Sequence, residues 1–142
     1  MLSATGLTPS RMSLPRGSAA ELIDAGTVWD AVRIPEHFGD RVLARLDDGC
    51  GAVIRDPFNH LLYFLVRPGA ADDWAFPGDA HIRILGASSV VLVPPVHQDR
   101  SPGPHWTRPV VAGRVLTRAR RLQAAMRAVT TEAMDPREAV AP

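Results

Sequence analysis

The chain has 142 residues, 46% of them hydrophobic, enough for one domain with its own core and no need of metal or disulfide staples. Its sixteen basic residues, all Arg, against fifteen acids leave a net charge of +1, too small to mark the whole chain as a nucleic-acid binder. The lone Cys50 excludes an internal disulfide, no secretory pattern is visible and no apolar run approaches the roughly 20 residues of a membrane span, so a cytoplasmic protein without membrane contact is expected.

Residues 1–20 are rich in Ser, Gly and Pro without a sustained period and are expected to form a flexible tail. Thr27 to Ile34 has the β-branched and aromatic content of a strand, although neither of its alternating faces is cleanly apolar. Pro35 suits the first turn of a helix, and Phe38, Val42 and Leu46 recur on one face, so a helix is predicted to about Asp47. Gly51 to Arg55 and Leu61 to Val66 read as a β-hairpin, with Asp56, Pro57 and Asn59 supplying turn chemistry.

Arg67 to Asp79 is a broken connection. His81 to Leu85 and Ser88 to Val93 follow as two strands, or one bent at Gly86, and His105 to Val110 as a last short strand. From Gly113 the period changes to that of an amphipathic helix through Val115, Ala119, Leu122, Met126 and Val129. The expected whole is an α+β domain over 21–129, a mixed sheet with one helix after its first strand and a C-terminal helix packed on it, then a frayed tail over 130–142.

Residues 113–129 carry Arg114, Arg118, Arg120, Arg121 and Arg127 with no acid, so the surface is expected to have a basic end. The Arg face of that helix is open to three readings: a solvated surface, a phosphate-contacting surface through Arg114, Arg118 and Arg121, or a docking face for a protein. His60, His81, His97 and His105 lack the spacing of a zinc site, and no phosphate loop or nucleophile elbow is present.

Four pieces in order resemble the N-terminal domain of bacterial bifunctional DNA primase/polymerases: Ala52-Val-Ile-Arg-Asp-Pro57, Asn59-His-Leu-Leu-Tyr-Phe64, Gly86 through the valine run to Pro94 and Pro95, and His97 to Trp106. The absence of Lys, with abundant Ala, Gly and Pro, suits a GC-rich, actinobacterial-type member. That family's chemistry uses two divalent metals held by carboxylates. Here Arg55 and Asp56 stand where the family has an Asp pair, Leu61 where it has a His, with His60 displaced by one, and Arg83 where it has a later carboxylate.

The resemblance therefore implies a degenerate member with no catalytic residue, in which Arg55, His60, Arg83, His97 and Trp106 line the ancestral face and bind nucleic acid or nucleotide in an accessory role. Asp56 is its one remaining candidate metal ligand, although Asp before Pro at a hairpin also reads as a turn residue. No cofactor is implied, and magnesium enters only with residual catalysis. Two alternatives stay open: a protein–protein interaction module without nucleic-acid contact, and a surviving nucleotidyl transferase that joins Asp56 to Asp30, Asp72 or Asp73.

Overall fold

The structure, a computed structural model, describes residues 14–134, without the Met134 side chain. Seven strands and two helices follow in the order β1 (Glu21–Asp24), β2 (Asp30–Pro35), α1 (Glu36–Leu46), β3 (Val53–Asp56), β4 (Leu61–Val66), β5 (Arg83–Leu85), β6 (Val90–Val93), β7 (His105–Arg108) and α2 (Ala119–Met134). Five strands form a sheet in the order β5-β2-β4-β3-β7, and β1 pairs with β6 in a separate two-stranded sheet.

Every pairing among the described residues is antiparallel, which corrects the expected mixed sheet. The connection from β2 through α1 to β3 sends both strands the same way, but β4 returns by a hairpin and inserts between them. No two neighbours are left parallel. The hairpin matches the expectation: Asp56 Oδ1 accepts the Phe58 and Asn59 N–H groups at 3.0 and 3.2 Å, and His60 takes the left-handed conformation (φ 58°) that closes the turn.

Both faces of the large sheet are covered. Val32, Ile34, Val53, Leu62, Phe64 and Val66 point to one side, where Phe38, Val42 and Leu46 of α1 meet Leu122, Met126 and Val129 of α2. On the other side Trp29, Ala31, Ile54, Leu65 and Trp106 pack against Val91, Val93 and Val115. Double-sided burial explains why β2 shows no clean apolar face: both sets of its alternating residues enter a core.

Three boundaries differ from the sequence reading. Strand β1 was not anticipated, and β5 and β6 belong to different sheets. The last helix starts at Ala119 and not near Gly113, because Val115 is spent on the second core and the backbone before the helix bonds to the sheet. The Ala52 and Thr117 N–H groups donate to the Val115 and Leu65 carbonyls at 3.0 and 2.8 Å, and Gly51 N–H donates to Thr117 Oγ1 at 2.9 Å.

At its far end α2 continues past Val129 to Met134, held by Glu132, which pairs with Arg41 at 2.7 Å and with Arg45 of α1. Of the expected N-terminal tail, residues 1–13 lie outside the described residues. Pro15 is buried, and its carbonyl accepts the Val96 N–H at 2.9 Å.

Candidate anion-binding surfaces

Arg55 lies on the helix side of the sheet, opposite Leu62, and its guanidinium is taken up by α1. It donates to Glu36 Oε2 at 2.6 Å and to Asp40 Oδ1 at 2.5 Å, with its side chain only 19% exposed. These bonds, Asp40 first, hold the Arg55 proton more tightly than usual. The same contact with Arg55 holds the Glu36 carboxyl below its ordinary range, with a smaller contribution from His60. His60 itself is an exposed turn residue with Nδ1 3.4 Å from Glu36 Oε1. An Arg saturated by two carboxylates is poorly placed to take an anion.

Arg83 stands on the opposite face. Its register partner is Arg33, whose other neighbour is Tyr63, and the row continues through Ile54 to Trp106. Trp106 is buried, with its indole N–H shared between the Pro94 and Pro95 carbonyls at 3.1 Å each. That geometry gives it a packing role and leaves no face for a base. His97 is exposed in the loop after β6. The five residues grouped by the resemblance are thus divided between two faces, a loop and a core.

A second basic surface gathers at the start of α2. A groove of about 570 Å³ is lined by Arg67, Leu116, Arg118, Arg120 and Arg121, among others. A neighbouring one of about 300 Å³ shares Leu116, Arg118 and Arg121 and adds Arg114 together with one acid, Asp48. Arg114 donates to the Asp48 carbonyl at 2.8 Å, which holds the side chain without neutralising it. Arg121 lies against Gly49, so close that a Cβ there would sit 2.6 Å from its Cζ. None of these five Arg forms an ion pair among the described residues, and the first turn of α2 contains no acid. The arrangement favours an anion through guanidinium charge and the positive end of the helix together.

The residues do not fit the two-metal centre that the resemblance would bring. Both Asp56 oxygens are engaged in the turn, Oδ2 by Asn59 Nδ2 at 2.8 Å, and Arg55 fills the space between Glu36 and Asp40. Asp30 is buried and accepts the Gly69 N–H at 2.8 Å, while Asp72 and Asp73 are exposed in the connection after β4. Among the described residues no three His, Cys, Asp or Glu side chains gather as a metal site.

Sequence reasoning missed Arg33, Tyr63 and Arg67 as members of basic surfaces. Arg33 and Tyr63 acquire their place from cross-strand register, and Arg67 from the return of the chain at α2, neither of which a linear pattern displays. The fold and its surfaces define an α+β protein with two basic regions on separate parts of one sheet-and-helix body. Comparison with protein-family models, with curated proteins and with solved structures finds no match in any of the three.

Proposed function

We propose that the chain is a primase–polymerase-like module without metal chemistry, which binds the phosphate backbone of nucleic acid in an accessory role. The observation that carries this reading is the pair of adjoining grooves at the start of α2, where Arg67, Arg114, Arg118, Arg120 and Arg121 converge. Guanidinium groups without carboxylate partners supply the sequence-independent part of nucleic-acid affinity. Arg55 is engaged by α1, whereas Arg114, Arg118 and Arg121 have no carboxylate partner among the described residues, which supports a site beside α2 over one at Arg55.

The test is fluorescence anisotropy of single- and double-stranded oligonucleotides at low and physiological salt. The Arg118→Glu/Arg121→Glu variant is expected to lose roughly tenfold or more in affinity at low salt, with a shallower salt dependence. Arg55→Met is expected to bind as the parent does. Equal, salt-insensitive binding by all three proteins would overturn the proposal.

A second reading has its own observation. On the outer face of the small sheet Leu22 pairs with Leu92, and Leu22, Val90 and Leu92 are 73%, 51% and 44% exposed. An apolar sheet face of this kind favours a protein partner, alone or together with nucleic acid.

A further inference from the structure

Strands β2 and β5 place Arg33 and Arg83 directly opposite each other, and Tyr63 faces Arg33 from β4. Like charges in direct cross-strand register repel. Neither Arg has an ion-pair partner among the described residues, and Arg33 Nε is buried with no hydrogen-bond acceptor. Asp56 lies on the same face but diagonal to Tyr63, and its carboxylate is already bonded within the turn. Arg33 and Arg83 thus stand in register without a carboxylate among the described residues to balance either, and an anion held between their guanidinium groups would relieve the repulsion.

We propose that Arg33, Arg83 and Tyr63 form a binding site for a phosphate dianion, either free or as a terminal monoester. Two guanidinium groups match its two charges, each fork can engage oxygens in parallel, and the phenol O–H supplies a further donor. A phosphodiester inside a strand offers one charge and only two unesterified oxygens, so it uses the site less well. The ligand class therefore includes inorganic phosphate and the terminal phosphate of a nucleotide or strand end. The site lies on the sheet face turned away from the helices and stands independently of the grooves beside α2.

The test is thermal denaturation near neutral pH with inorganic phosphate, adenosine 5′-monophosphate or a dinucleoside phosphodiester, against chloride at matched ionic strength. The parent is expected to gain a saturable rise in Tm from either of the first two probes and little from the diester. A response to the nucleotide alone would assign the site to nucleotides, and a response to both would assign it to the phosphate group itself.

Arg83→Gln and Arg33→Gln are expected to lose that rise. Arg83 is exposed, so without phosphate Arg83→Gln should unfold at or above the parent's Tm because the repulsion is gone. Arg118→Gln, in the groove beside α2, should respond as the parent does, which separates failure here from failure of the nucleic-acid reading.

Tyr63 is the single tyrosine, so ultraviolet titration of its phenol reports on the site alone. Bound phosphate is expected to move phenolate formation to higher pH in the parent and not in Arg83→Gln. A phosphate response that survives in both Arg variants, that chloride or the diester reproduces, or that leaves the phenol titration unmoved would overturn the proposal.

Discussion

Trp106 sits at the end of a cross-strand row, 2% exposed, with one N–H serving two carbonyls. Removing the ring in Trp106→Ala deletes a large part of the second core and is expected to cost about 3–5 kcal/mol. Trp106→Phe keeps most of the packing but strands the Pro94 and Pro95 carbonyls, which points to a smaller loss of about 1–3 kcal/mol. Urea denaturation of the three proteins measures both, and a Trp106→Ala loss below about 1 kcal/mol would show that the site collapses around the missing ring. Arg55 makes a related point about charge. A basic residue among the motifs that carry the resemblance invites a phosphate-binding reading, yet two acids one helical turn apart on α1 reach it first.

The strap over 115–117 is the element that linear patterns misassign. Val115, Ala119, Leu122 and Met126 share helical spacing, but Val115 points into the sheet-side core and Leu122 and Met126 into the helix-side core. One periodic set serves two layers, so periodicity overruns the true start of α2. The hairpin β3–β4, by contrast, was legible because its signal is local: turn residues at fixed offsets between two short apolar runs. The candidate surfaces were legible in the Arg-rich run that leads into α2 and, singly, in Arg83; that Arg33 stands opposite Arg83 depends on a strand order that no local pattern encodes. The strap also explains Gly51, where an added Cβ would meet the Val115 carbonyl oxygen at 2.6 Å, a backbone atom with little freedom to move. Gly51→Ala is expected to destabilise by about 1–3 kcal/mol and to speed hydrogen exchange at Ala52 and Thr117, whose N–H groups tie the strap to the sheet. Unchanged exchange at both amides would show that the strap adjusts without losing its bonds.

At the scale of the whole molecule, the shifted groups define the pH range over which the fold is most stable. Glu36 has its folded-state pKa lowered, so the unfolded chain binds its proton first on acidification. Its contribution is present above the ordinary Glu value of about 4.3 and is lost as pH falls from there through the folded value. Cys50 and Tyr63 act in the opposite sense. Burial pushes the Cys50 thiol up against the smaller pulls of Thr117 and Arg108, and it pushes the Tyr63 phenol up against the charge of Arg33. In both, the unfolded chain releases its proton first, so stability falls as pH rises above about 8.5 for the thiol and about 10 for the phenol, until the folded group ionises. Tm measured against pH is therefore expected to hold a plateau through neutrality and to fall at both ends. Glu36→Gln should flatten the acid limb, since a neutral amide has no proton to gain, while lowering the plateau through the lost charge on Arg55. Cys50→Ala should move the start of the alkaline limb toward the phenol's range and leave the acid limb as it was. An alkaline limb that begins at the same pH in Cys50→Ala would show that the thiol does not set it and leave the half-buried Tyr63 phenol as its source.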